Sequence, residues 1–326
     1  MENRWLIMRE LTRRDALIGA ATFGAAMLGR GVKSAFAVAS QPMTRITFNV
    51  PRGATDCHTH IIDPRRFPFA ATRGYTPEAA SVEEHRALHR ALGTDRSVIV
   101  QPSFYGTDNR CTLDAVKSLG SSARCLVVVE DDISDAALNE MDRAGARGIR
   151  IFLGQTPADA RKRLQTAARQ VGNRKWHINT ALQPSALEPL DAQIMATPVP
   201  IVFDHFAGAQ ASLGTQQAGF GILLNLLRMG KVYVKLSRIH NISTQAPDYP
   251  DVAPIAKALI AANPQRILWG TDWPHAGPGG VSNVKEITPL FQLDDGRVFN
   301  QLAAWAPDPA QCNTILVENP QRLYGF

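Results

Sequence analysis

Residues 97–152 read SVIVQPSFYGTDNRCTLDAVKSLGSSARCLVVVEDDISDAALNEMDRAGARGIRIF. Short apolar, β-branched runs at 97–101, 125–130 and 148–152 alternate with stretches at 113–120 and 135–145 long enough for helices. Strands alternating with helical connections indicate parallel βαβ units. The same rhythm continues in both directions. Further strands are predicted at 55–62, 176–181, 199–203, 232–236 and 266–269, and helices at 81–92, 157–171, 186–195, 216–229 and 252–262. Several of the helical stretches close with Gly, a common stop signal. Eight strands with helical connections predict an α/β fold, a (β/α)8 TIM barrel in one domain. A doubly wound open sheet is the competing arrangement, but no G-x-G-x-x-G follows the first strand.

The chain has 326 residues, 45% apolar and 20% charged, which suits a globular protein with a sizeable core and excludes a disordered or fibrous one. No apolar run reaches the roughly 18 residues a membrane-spanning helix needs. The net charge of +6 is partly local, because beyond residue 39 the balance is 29 basic against 26 acidic residues. No Lys/Arg block interleaved with aromatics marks a nucleic-acid footprint. The early basic residues include Arg13-Arg14, followed by an apolar Ala/Gly-rich stretch at 16–28 and small-residue sites Ala35-Phe36-Ala37 and Ala37-Val38-Ala39. That order predicts a twin-arginine signal over 1–39, export to the periplasm, and a barrel domain over 40–326 without membrane contact. Cys57, Cys111, Cys125 and Cys312 form no metal-ligand spacing and are expected to be buried free thiols.

Active residues of such a barrel lie at the carboxyl ends of its strands. The first strand ends Thr55-Asp56-Cys57-His58-Thr59-His60, and a side-chain period of two puts Asp56, His58 and His60 on one face. Imidazoles are costly to bury without partners, which favours ligation or hydrogen bonding. In Leu268-Trp269-Gly270-Thr271-Asp272, the alternation brings Asp272 inward, where a carboxylate can ligate a metal or take a proton from water. If Phe203 points inward, His205 does too. Arg150, on the face shared with Gly148 and Phe152, suits a substrate carboxylate through a bidentate pair. Lys235 and Ser237 face the interior as either a buried ion pair or substrate contacts.

Together these strand ends resemble the amidohydrolase superfamily, in its branch of small lactone hydrolases. The resemblance rests on His58-Thr59-His60, Phe67-Pro68-Phe69, Gln101-Pro102-Ser103 with Gly106-Thr107-Asp108-Asn109, Gly148-Ile149-Arg150, Phe203-Asp204-His205, and Trp269-Gly270-Thr271-Asp272-Trp273-Pro274-His275, with Asn319-Pro320 before Arg322-Leu323-Tyr324. It implies a hydrolase opening an anionic lactone from aromatic ring cleavage, of the 4-sulfomuconolactone or 2-pyrone-4,6-dicarboxylate type. It implies Asp272 as the base that activates water, and His58, His60 and His205 around the lactone carbonyl. Arg150, Tyr75 and Ser103 would hold an anionic substituent, with Thr107, Asn109 and Arg238 as further substrate contacts. The cofactor is none or one Zn2+. Zinc relatives imply His58, His60 and Asp272 as an open three-ligand site, whereas the lactonase branch implies a metal-free one. His177 lies too early in its strand to serve. Strand five offers Asn179, Thr180 and Gln183 where the branch carries substrate-gripping residues, so the second substituent of the substrate stays open. Competing functions are a sugar-lactone isomerase or aldonolactonase, a zinc-dependent decarboxylase, and a solute-binding protein on a barrel without turnover.

Overall fold

The structure is a computed structural model describing residues 39–279 and 283–326, so the export signal expected over residues 1–39 lies outside the described residues except at Ala39. Eight parallel strands pair in sequence order: β1 Thr55–Thr59, β2 Arg96–Val100, β3 Ala123–Val127, β4 Ala146–Ile151, β5 His177–Thr180, β6 Ile201–Phe203, β7 Val232–Leu236 and β8 Ile267–Trp269. The seam between β1 and β8 is drawn together beyond the strand ends. Thr59 bridges Trp273, the His60 amide donates to the Trp273 carbonyl at 2.8 Å, and the Asp272 amide donates to the His58 carbonyl at 2.9 Å. A nearly closed TIM barrel results, with its helices on the outside.

Local chemistry explains where those helices begin. Ser81 caps α1 (Val82–Leu92) through a reciprocal bond pair with Glu84. Thr156 caps α2 (Pro157–Val171), with Pro157 at the first turn where its missing N–H costs nothing. The helix expected at 186–195 is instead two 3-10 turns and a short helix at Asp191–Ala196. Pro184 and Pro189 each remove a donor there. A helix at Asp295–Trp305, capped by Asp294, completes the shell and was not anticipated. Among the described residues, no helix is long and apolar enough to cross a membrane. All four cysteines are free and buried.

Strand parity divides the core. Ile99, Cys125, Val127, Ile201, Phe203, Ile267 and Trp269 belong to the large cluster that includes the helices. The alternating residues Val98, Val100, Leu126, Val202 and Leu268 join Cys57, Tyr233, Leu323 and Tyr324 in a separate cluster inside the barrel. His177, at the start of β5, is fully buried in an edge contact with Tyr324. A Cβ on Gly148 would lie 2.9 Å from its ring. It is therefore deep in the barrel, away from the carboxyl ends.

Between β1 and α1, His85 and His89 meet through their Nε2 atoms at 2.9 Å, with Thr59 Oγ1 3.2 Å from His85 Nε2. Thr59 Oγ1 also lies 3.3 Å from the Val98 carbonyl. Burial pushes His89 down to about 4 and His85 well below its ordinary value. Both are neutral in the fold, whereas an unfolded histidine protonates near pH 6.5. The unfolded chain therefore binds more protons between about pH 6.5 and 4, and stability falls as pH drops through that window. Thermal unfolding from neutral to about pH 4.5 should show a falling midpoint, with a shallower fall in His89→Gln. A midpoint indifferent to pH across this range would contradict the buried neutral pair.

Candidate active site

Three imidazoles converge on one carboxylate at the barrel mouth. Asp272 Oδ1 is 3.4 Å from His58 Nε2, 3.6 Å from His60 Nε2 and 3.8 Å from His205 Nε2. Asp272 Oδ2 faces Arg238 Nη1 at 3.4 Å. Asp272 is buried, yet neither carboxylate oxygen accepts a hydrogen bond, and His58 Nε2 has no partner either. Burial alone would raise the Asp272 pKa, but the Arg238 guanidinium, together with His205, outweighs it and holds the carboxyl well below its usual range.

The far nitrogens of the rings are occupied. His60 Nδ1 is 2.7 Å from the Val100 carbonyl, His58 Nδ1 is 3.1 Å from Asp204 Oδ1, and His205 Nδ1 is 2.9 Å from Ser237 Oγ. A carbonyl only accepts, so neutral His60 keeps its proton on Nδ1 and turns a bare Nε2 toward Asp272. It cannot then donate to a lactone carbonyl, as the resemblance implied for it. His205 can, because Ser237 is able to donate to its Nδ1 and leave the proton on Nε2.

Two expectations from strand parity need correction. Cys57 lies in the interior cluster, while Asp56 turns to the seam, accepting from the His58 amide and from the Thr271 amide and hydroxyl. The cause is a register shift between Asp56 and Thr59 that breaks the period of two. On β6, Val202 rather than Phe203 faces inward. His205 reaches the mouth because His205, Phe206 and Ala207 all have positive φ, at 56°, 55° and 52°, and turn the chain back.

That parity also brings in Asp204, which sequence reasoning did not select. It is fully buried and holds Lys235 Nζ at 3.0 Å, Asn179 Nδ2 at 2.7 Å and Arg150 Nη2 at 3.6 Å, in addition to His58. Lys235 is thus a buried ion-pair partner with no exposure. Two charged residues on interior-facing positions of apolar strands were the available signal, since buried charges need partners. Arg150 also donates to the Gln101 carbonyl at 3.0 Å and lies over the Phe152 ring. Tyr75 is half-buried at the same mouth; burial raises its pKa, and Arg238, Asp272, Arg150 and the Ser103 hydroxyl all act on it. Thr107 and Asn109 are differently placed. Thr107 Oγ1 donates to Glu130, and the Asn109 side chain is spent on the Thr107 and Val128 carbonyls and the Val128 amide. Both are committed to ordering the loop after β2. His240, stacked on Phe291 at 4.6 Å with its ring edge to His275, adds an imidazole beside Asp272.

His58, His60 and Asp272 are also spaced to hold a metal ion. Ligands of a tetrahedral zinc at about 2.0–2.1 Å stand about 3.3–3.4 Å apart. The 3.4 and 3.6 Å separations here, with both Asp272 oxygens unpartnered, fit that donor set.

Residues 55–326 match the amidohydrolase family model, so the whole barrel is covered. The chain is a member of the amidohydrolase family. It is 36% identical over 289 residues to 4-sulfomuconolactone hydrolase of Rhizobium radiobacter, covering 86% of this chain and 92% of that protein. It is 35% identical over 292 residues to a 2-pyrone-4,6-dicarboxylate hydrolase of Comamonas testosteroni, covering 85% and 92%. A ligand-free crystal structure from Agrobacterium tumefaciens superposes with a TM-score of 0.74 at 26% identity, over 87% of this chain and 98% of that one.

Proposed function

We propose that this protein is a hydrolase that opens an anionic lactone produced by aromatic ring cleavage, of the 4-sulfomuconolactone or 2-pyrone-4,6-dicarboxylate type. The observation that carries this reading is Asp272, ionised, buried and with both oxygens free of hydrogen bonds, under three imidazoles and between the cations of the mouth. Water held by Asp272 gives up a proton to the carboxylate as its oxygen attacks the lactone carbonyl. His205, with its Nε2 proton, faces the oxygen on which charge builds. The ring C–O bond then breaks, and the proton on Asp272 passes to the departing oxygen. A divalent metal held by His58, His60 and Asp272 would supply Lewis-acid polarisation and a more acidic water.

The charges suit an anion. Arg150, Arg238 and Lys235 oppose Asp204 and Asp272, leaving one net positive charge around the mouth. Arg150, Arg238, Tyr75 and Ser103 form its substrate-facing rim. Arg150→Lys should lower kcat/KM on an anionic lactone about tenfold or more, because an ammonium cannot reproduce the guanidinium fork. A neutral lactone should be affected less; an equal loss on both would reduce Arg150 to a support for Asp204.

The deciding experiment follows ring opening by ultraviolet absorbance on the pyrone dicarboxylate, muconolactone, its sulfonated analogue and a neutral aldonolactone, with and without a chelator. Turnover confined to anionic members supports the proposal. Isomerisation or turnover of the neutral sugar lactone alone would favour the isomerase or aldonolactonase, and binding without turnover a solute-binding role. Full activity in zinc-free protein after chelation would remove the metal from the scheme.

A further inference from the structure

Beneath the mouth, three polar atoms form a closed triangle. Lys235 Nζ is 3.0 Å from Asp204 Oδ1, Asp204 Oδ1 is 3.1 Å from His58 Nδ1, and Lys235 Nζ is 3.3 Å from the same His58 nitrogen. All three residues are fully buried, so water cannot mediate among them. A neutral imidazole carries one proton, and the triangle offers it two states. If Lys235 donates into Nδ1, the proton stands on Nε2 and points at Asp272. If Asp204 accepts from Nδ1, the bare lone pair of Nε2 faces Asp272 instead.

The geometry favours Asp204. Its contact with His58 is the shorter one, and a hydrogen bond to a carboxylate is charge-assisted. Lys235 lies nearer to Asp204 than to the ring, and Asn179 donates to the other carboxylate oxygen at 2.7 Å. Asp204 is therefore held as an anion with acceptor capacity remaining for one imidazole. His60 has the same tautomer, imposed by the Val100 carbonyl. Two bare nitrogens and a carboxylate oxygen thus converge without a proton between them. Such a group is mutually repulsive until a cation enters it.

We propose that Asp204, anchored by Lys235 and Asn179, is a positioning residue that fixes His58 as its Nδ1–H tautomer and so readies the His58, His60 and Asp272 group for a divalent cation. This rests on the metal-holding capacity of that group and not on which lactone is turned over. Asp204 does not touch the reacting atoms. It acts by orienting a ligand, as carboxylates behind metal-binding histidines do.

The test uses two readouts other than activity. In metal-free wild-type protein, long-range 1H–15N spectra, with His58 assigned by comparison with His58→Gln, should show its proton on Nδ1. Zinc affinity, measured by competition with a chromophoric chelator, should fall about 10- to 100-fold in Asp204→Asn. In that variant the neutral amide oxygen is a weaker acceptor than the carboxylate, so Lys235 should win the ring nitrogen and the His58 proton should move to Nε2. A wild-type His58 protonated on Nε2 would overturn the proposal even if the variant failed to fold. So would wild-type protein that binds no zinc, or a folded Asp204→Asn that keeps wild-type zinc affinity within about threefold. None of these results bears on lactone opening, which the substrate panel decides separately.

Discussion

Asp272→Asn should slow ring opening by about two orders of magnitude or more, with the loss in kcat. The amide cannot take a proton from water, and it removes the negative charge on which three imidazoles and Arg238 converge. The substitution is well suited to isolating chemistry from folding. Asp272 has a positive φ of 67°, a conformation that asparagine tolerates better than other residues with a Cβ. The replacement amide has nearly the same volume as the carboxylate, and no hydrogen bond to the carboxylate is lost because none is made. Steady-state kinetics on the preferred lactone, with circular dichroism to verify the fold, are the measurement. Near-normal kcat would take Asp272 out of the mechanism.

Gly270→Ala should cost about 3 kcal/mol of stability or more and disable the site at the same time. A Cβ at this position would meet the His58 amide nitrogen at 2.8 Å, His58 Cβ at 2.9 Å and Asp56 Oδ1 at 3.1 Å. Backbone of a neighbouring strand cannot move aside as the end of a flexible side chain can. The seam would have to open, straining the bonds from Asp272 to the His58 carbonyl and from Thr271 to Asp56. Denaturant unfolding and kcat measured together check this. A loss under about 1 kcal/mol with full activity would show that the seam yields freely.

Much of the architecture was legible in the chain. Strands buried on both faces must be largely apolar, so β2, β3 and β7 stand out as short apolar runs, and the helices between them follow from their length. Strand ends were overestimated by a few residues where apolar residues continued past the last ladder bond, as at Val128 and Val129 after β3. The site was partly legible for the opposite reason. His58, His60, Asp272 and Arg150 are polar residues at the ends of apolar strands, and that mismatch is itself the signal. Thr107 and Asn109 show its limit, because a polar side chain in a strand-end loop bonds a neighbouring side chain or the loop's backbone as readily as a substrate.

The sequence by itself determined the count and order of strands, the placement of polar groups at one end of the barrel, and the choice of a histidine–aspartate chemistry. These depend on local pattern, which burial imposes residue by residue. Only the tertiary structure decided which groups meet. The bond from Asp204 to His58 spans 146 residues and the approach of Lys235 to His58 spans 177, so both depend on strand register that no local pattern encodes. The positive φ of His205 and Asp272 and the register shift in β1 break the period of two just where the chemistry gathers. Such departures are costly alone and persist because the packed barrel around them enforces them.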